Sequence, residues 1–561
     1  MITHPIGVYI NWAAYDELSD VVELTEALAM RQLDEVARLK RSGVQLDYYV
    51  MDAFWFAPDT GFRTWRSPHW SPDGPQRWID GCAAIGVQPG LWLTANNLHQ
   101  QNLYPMQLIP AWADSFDPEL SALCCFYGGF LPHFATTLEH WYAAGVRMFK
   151  IDFANFDAAP PHLKQTMLPA EIRGANQAAW RGAVKAFRQA HPDVRFLAYN
   201  GFDERPIQRA TDLPLHKAVD TSWLEAFDSL YCGDPRPADT PAMNFWRAKD
   251  IYSDHMVRVY EFNDVPLPRI DNSAFMIGVT GTCYRRGAAA WRGMLLLSLA
   301  RGGWVNTYYG NLELLSDENA RWFATVQTTY FDLLRRAPVQ TFGALPGTGQ
   351  PYGYLAHNGA NALITVVNPG QTTATVALPI DCPGGAVIFH DAGFSPQVTA
   401  TTLTLGPEQM AVIGVGRYAG MDWGVEADVT IPAHSAPLPV EFVPTSARTV
   451  RATLTPPQQG RLRVVMQQFD AHGRVVRTSG GAPPAGVTLG QLLRIEAWQG
   501  EQAIPVAIAY DKAIWSGLSW AVGEIDLTHL APAADLTITV SSHDPAAQVL
   551  RAHVYHVQDA V

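Results

Sequence analysis

Short apolar runs alternate with amphipathic stretches over residues 1–337, the pattern of a parallel sheet covered by helices. Strands are expected at Val8–Trp12, Tyr48–Phe56, Gln88–Leu93, Met148–Asp152, Arg195–Asn200, Leu230–Cys232, Val257–Phe262 and Trp304–Tyr308. Helices are expected at Thr25–Ser42, Trp78–Gly86, Leu131–Gly145, Ala170–His191, Ala242–Met256, Trp291–Ala300 and Glu318–Arg336. Eight such units predict a (β/α)8 TIM barrel over 1–337. Beyond Pro338 the period falls to two, as in Ala362–Asn368, Thr372–Leu378 and Gln409–Val415, which predicts a C-terminal antiparallel β-sandwich over 338–419. Further strands near Arg461–Gln468, Leu492–Ala497, Val506–Tyr510 and Leu536–Ser541 predict a second all-β domain over 420–561.

Polar residues at the C-terminal ends of barrel strands line the active site of such a fold. The run Met148-Phe149-Lys150-Ile151-Asp152 is the most informative of these ends. Residues two apart on a strand share a face, so Lys150 and Asp152 point the same way. A nearby cation lowers an acid's pKa, which would keep Asp152 anionic and nucleophilic at neutral pH. A structural ion pair at the barrel mouth is the plainer reading of the same two residues. The other strand ends supply Asn11 and Trp12, Asp52 with Trp55, Trp92 followed by Asn96 and Asn97, and Asn200. Asp234 and Arg236 follow the sixth strand, and Asn311 and Glu313 follow the eighth. Amides and carboxylates for hydroxyls, with indoles for ring faces, compose a sugar pocket.

Cleaving a glycosidic bond takes two carboxyls in most enzymes, about 5–5.5 Å apart where the anomeric configuration is retained. Asp152 supplies one. Asp234, in a turn set by Gly233 and Pro235, is the first choice for the other, and Asp254 is the runner-up. As an acid Asp234 needs a raised pKa, for which Trp223 and Tyr231 are expected neighbours.

Composition narrows the partners. Lys+Arg 40 against Asp+Glu 53 leaves a net charge of -13, which disfavours nucleic acid and anionic membrane surfaces. Aromatic residues make up 11% of the chain, with 18 Trp, many of them near predicted strand ends where indoles stack on sugars. The six cysteines form no CxxC pair, so free thiols are expected rather than a zinc cluster or a disulfide framework. No HExxH, EF-hand, P-loop, GxGxxG or GxSxG pattern occurs, so no metal or other cofactor is expected. With no leader-like N-terminus and no membrane-length apolar run, the expected location is cytoplasmic.

The stretch Thr25–Phe56, ending Val50-Met51-Asp52-Ala53-Phe54-Trp55-Phe56, resembles the helix and second strand of the bacterial α-galactosidases of glycoside hydrolase family 36. Gly86–Trp92 resembles the third strand of that family, Lys150-Ile151-Asp152 its Lys-Xaa-Asp nucleophile motif, and Gly233-Asp234 its Ser-Asp acid/base motif. Gly310–Ser316 is similar to its segment after the eighth strand. The resemblance implies a retaining α-glycosidase with Asp152 as nucleophile and Asp234 as acid/base, acting on an oligosaccharide or glycoside. A homo-oligomer is common among such proteins. Three departures bear on the sugar: Ala53 replaces the second Asp of a hydroxyl-binding pair, Thr94-Ala95-Asn96-Asn97 stands for Glu-Pro-Glu, and Tyr199-Asn200-Gly201 replaces a Cys-containing motif. Losing a carboxylate that grips a hydroxyl is the steep kind of discrimination, so a sugar other than plain galactose is expected. A transglycosylase would use the same two carboxyls, and a carbohydrate-binding protein without activity would need neither.

Overall fold

Eight parallel strands close on themselves in the order of the chain. They are β1 (Ile6–Ile10), β2 (Tyr48–Met51), β3 (Gln88–Thr94), β4 (Met148–Asp152), β5 (Arg195–Ala198), β6 (Ser229–Tyr231), β7 (Ile270–Ile277) and β8 (Val305–Gly310), with β1 against β8 completing the barrel. The structure is a computed structural model that describes residues 2–12, 14, 24–53, 55–99, 103–202, 219–232, 245–277, 291–346, 350–430, 434–473, 493–508, 520–545 and 547–558.

Helices α1 (Glu26–Arg41), α2 (Gly74–Ala84), α3 (Phe130–Ala144), α4 (Pro169–Ala190), α5 (Phe245–Phe262), α6 (Trp291–Ala300) and α7 (Asp317–Leu334) lie between or after the strands. The start of α1 illustrates the local cause. The Thr25 hydroxyl accepts from the Leu28 amide, Glu26 sits in the first turn, and Arg38, Lys40 and Arg41 close the last, each complementing the helix dipole. Ala29, Leu33, Val36 and Leu39 recur at helical spacing and are buried.

One strand lies elsewhere than the hydrophobic pattern suggests. Residues 257–262, expected as the seventh strand, continue α5 to Phe262. Met256, Val257, Val259 and Tyr260 are buried at positions one, three and four apart, a helical spacing that a β-branched and aromatic composition disguises. Pro266 and Pro268 follow, and the strand is Ile270–Ile277.

Alternation inside the barrel sorts its side chains into two sets. Phe149 and Ile151 face the helices, Phe149 packing 6.1 Å from the ring of Phe187 on α4. Met148 belongs with Val8, Val50, Leu197 and Val305 in an apolar core inside the barrel. Gly90 is the small residue that this crowding requires, since a Cβ there would meet Val50 at 2.7 Å and Met148 at 3.1 Å. Lys150 and Asp152 have the same parity as Met148 and stand nearer the C-terminal mouth.

After the barrel, Val339–Gly343, Tyr352–Asn358, Asn361–Val367, Met410–Val415, Ala386–Ala392 and Gly424–Thr430 form a six-stranded sheet in that spatial order. Its apolar face packs with a three-stranded sheet built from Ala374–Ala377, Thr402–Leu405 and Gln397–Val398. Two five-stranded sheets follow between His434 and Gln558, and their core is continuous with the cluster inside the barrel. The five described cysteines, Cys82, Cys124, Cys125, Cys232 and Cys382, are buried free thiols. Among the described residues no helix is long and apolar enough to cross a membrane.

Candidate active site

Asp152, 5% exposed, ends β4 with four donors on its carboxylate. Oδ1 accepts from the Phe153 amide at 2.9 Å, the Asn200 amide at 3.1 Å and the Asn200 side chain at 2.9 Å. Among the described residues, Oδ2 accepts from Trp92 Nε1 alone, at 3.2 Å. The chain leaves the strand through Phe153 at φ 51, a left-handed conformation that costs a non-glycine residue on the order of 1–3 kcal/mol and is favoured at functional sites. Asn200 reaches Asp152 because Gly201, at φ +96, lets the two loops touch; a Cβ there would lie 2.2 Å from the Ala154 carbonyl oxygen.

Lys150 does not pair with Asp152. Its Nζ lies 2.7 Å from Asp52 Oδ2 at the end of β2, with both side chains at most 5% exposed. The expected lysine–nucleophile contact is therefore corrected to a Lys150–Asp52 pair beside a carboxylate held by N–H donors. Burial pushes the Asp52 carboxyl up, and the ammonium of Lys150 offsets part of that. Three rings surround Lys150: Tyr199 at 4.2 Å, and Trp12 and Tyr309 each at 5.7 Å. The half-buried Trp12 meets the edge of Tyr309 with centroids 6.2 Å apart.

Two expected sugar contacts serve the scaffold instead. Trp55 is fully buried among Phe56, Trp65 and Trp141, and its Nε1 donates to the Trp92 carbonyl at 3.0 Å. Asn11 accepts from the Asp52 amide at 2.9 Å and contacts Met51 Sδ at 3.0 Å, which braces the end of β2. Asn96 likewise ties Leu123 to Asn155, and Asn311 caps the turn after β8. Asp234 and Arg236 lie outside the described residues.

Asp254 is removed from the barrel mouth. It is fully buried, its Oδ1 accepting from Arg301 Nε at 2.7 Å and Tyr354 at 2.7 Å, its Oδ2 from Tyr352 at 2.5 Å. Those tyrosines belong to the first C-terminal sheet, so Asp254 joins that sheet to the barrel's helices. Trp223 is buried among Phe156, Phe202 and Phe227, while Tyr231 lies inside the barrel.

A further polar layer inside the barrel was not expected. Tyr199 donates to Asp271 Oδ2 at 2.9 Å and lies 2.7 Å from the Tyr309 hydroxyl, while Thr307 donates to Asp271 Oδ1 at 2.5 Å. Burial lifts the Asp271 carboxyl to about 6, against the opposing pull of Thr307, Tyr199 and Lys150. Burial, with the charge of Asp271, also raises the phenols of Tyr199 and Tyr309 well above their ordinary range. Among the described residues no group of three or more His, Cys, Asp or Glu is disposed to hold a metal ion.

No family model matches the chain, and no curated protein does. Among solved structures, the α-galactosidase from Lactobacillus brevis superposes with a TM-score of 0.51 at 11% identity, covering 74% of this chain and 55% of that one. A family 36 α-galactosidase from Geobacillus stearothermophilus, solved with stachyose, gives a TM-score of 0.49 at 12% identity over 74% and 56% of the two chains. Trehalose-6-phosphate hydrolase from Bacillus licheniformis gives 0.47 at 11% identity over 74% and 99%. The chain spans a little over half the length of these α-galactosidases. At such identity the likeness is one of fold, a closed parallel barrel followed by antiparallel sheets.

Proposed function

We propose that this protein is a retaining α-glycosidase that removes a terminal α-linked sugar by double displacement, with Asp152 as nucleophile and Asp234 as acid/base. The carrying observation is the asymmetric donor set on Asp152. Among the described residues three N–H groups hold Oδ1 and one holds Oδ2, which makes Oδ2 the oxygen better placed to attack an anomeric carbon. The solved α-galactosidase from Lactobacillus brevis is similar in fold, which accords with this reading.

In the first step Asp152 Oδ2 attacks the anomeric carbon while the bond to the leaving oxygen breaks and Asp234 protonates that oxygen. In the second step Asp234 takes a proton from water, the water oxygen bonds to the anomeric carbon, and Asp152 departs as a carboxylate. Asp234 is assigned on its Gly233-Asp234 sequence after β6. The buried Lys150–Asp52 pair offers a donor and an acceptor to ring hydroxyls, and Trp12 an apolar face. With Ala53 in place of a second carboxylate, the sugar differs from plain galactose at one recognised hydroxyl.

A panel of p-nitrophenyl α- and β-glycosides assayed on wild type and Asp152→Asn tests the reading. Release from an α-glycoside that vanishes in the variant supports it, and silence on every α-configured sugar overturns it. Azide rescue of Asp234→Ala on an activated glycoside supports the acid/base assignment, and its absence moves that role elsewhere. Product analysis with acceptor sugars separates hydrolysis from transfer.

A further inference from the structure

Asp271 is a fully buried carboxylate for which the two displacement steps have no use. Its oxygens are taken by the hydroxyls of Thr307 and Tyr199. The barrel core nearby is apolar, built from residues such as Val50, Met148 and Leu197, and a carboxylate amid such packing is costly unless it does something valine would not.

What it holds is the ring of Tyr199. That ring stacks on Tyr231 with centroids 4.2 Å apart and planes 20° apart, and its hydroxyl is fixed by Asp271 and Tyr309. Because Tyr199 donates to Asp271, Tyr309 is the donor between the two phenols. The face of the fixed ring lies 4.2 Å from Lys150 Nζ. Asp271 also acts on the charge of Lys150, but for a direct ion pair two carboxylates stand nearer its end of the strand: Asp52 on β2, with only β3 between, and Asp152 two residues along its own strand. Lys150 takes Asp52.

We propose that Asp271 is a positioning residue: by anchoring the Tyr199 phenol it fixes the aromatic face on which the Lys150 ammonium rests, which directs that charge to Asp52 and leaves Asp152 unneutralised. This rests on the reading of Asp152 as nucleophile. Freed of its anchor, the ring shifts from under the ammonium, and Asp152 then competes with Asp52 for that charge. An ammonium paired with a carboxylate keeps it ionised but engages the lone pairs it needs for attack, so the paired carboxylate is the weaker nucleophile.

The test compares Asp271→Asn, Tyr199→Phe and the double variant by crystal structure and by turnover of a 2,4-dinitrophenyl α-glycoside, with active sites counted by a 2-deoxy-2-fluoroglycosyl fluoride. Each single variant is expected to lose about tenfold in kcat/KM and the double variant no more than that, since the two residues act through one another. The crystals are expected to show Lys150 Nζ within hydrogen-bond reach of Asp152. Losses that multiply, or a Lys150 still seated on Asp52 in both single variants, overturn the proposal. Should Asp271→Asn not fold, Tyr199→Phe carries the test, because it removes only the hydroxyl that Asp271 holds and leaves the Asp271 carboxylate and Thr307 in place. A wild type silent on all α-glycosides, with Lys150 displaced in the variants, overturns the glycosidase reading and upholds the positioning role.

Discussion

Lys150 reaches past β3 to Asp52 at 2.7 Å and leaves the carboxylate on its own strand, Asp152, to neutral N–H donors. One charge pair and one separately stabilised anion thus share a buried mouth. The division matters for reactivity, because hydrogen bonds hold an anion in place without cancelling its charge as an ammonium would.

Lys150→Met is expected to destabilise the protein by about 3–5 kcal/mol, because it strands the Asp52 carboxylate without its partner. Adding Asp52→Leu should restore much of that loss, since the desolvated charge goes with it. Urea denaturation of wild type, single and double variants measures this. A double variant no more stable than Lys150→Met contradicts the account of the pair.

Asn200→Ala removes one of three donors from Asp152 Oδ1 and leaves the backbone donor in place. A hydrogen bond to a charged group contributes about 1.5–3 kcal/mol. In the proposed double displacement Asp152 leaves the glycosyl-enzyme as an anion and needs those donors, so the second step is expected to slow by about tenfold. Stopped-flow turnover of an activated α-glycoside should show a larger burst relative to the steady rate than wild type shows. An unchanged burst ratio contradicts the role given to Asn200.

Asp254→Ala is expected to cost about 3–5 kcal/mol by leaving the fully buried Arg301 without its carboxylate. Turnover per titrated active site should stay near wild type, with no response to azide. The urea midpoint and active-site titration report the two effects separately. Azide rescue would instead return Asp254 to the list of acids.

Much of this was legible in the sequence where period and chemistry agree. Met148–Asp152 is found as expected because a short apolar run between a helix and a polar turn has one reading. Residues 257–262 misled because Val257 and Val259 flank Arg258 as a strand's alternation would, and the two prolines after them were the better signal. That misplacement hid Asp271, which lies on the true seventh strand. The partner of Lys150 was not legible, since spacing along one strand says nothing of which side chain on a nearby strand turns toward it. Trp55 shows the same limit: an indole at a strand end can turn to the sugar or to the core, and here Trp65 and Trp141 claim it.

Asp271 also sets a pH dependence of stability whose sign follows from its environment. Burial raises its carboxyl from 3.8 in the unfolded chain to about 6, with Thr307, Tyr199 and Lys150 opposing. Between those values the folded protein keeps a proton that the unfolded chain has lost. Fewer protons on the unfolded state mean that stability falls as pH rises through this window, and the penalty is complete above pH of about 6. The rise corresponds to on the order of 3 kcal/mol. Asp271→Asn has no proton to lose there, so wild type should lose stability relative to the variant between about pH 4 and 6.5 and then hold a constant difference. Urea melts of both proteins across that range check it. A stability difference that does not move with pH, or moves in favour of wild type as pH rises, places the Asp271 carboxyl in its ordinary range and removes the burial penalty argued for it.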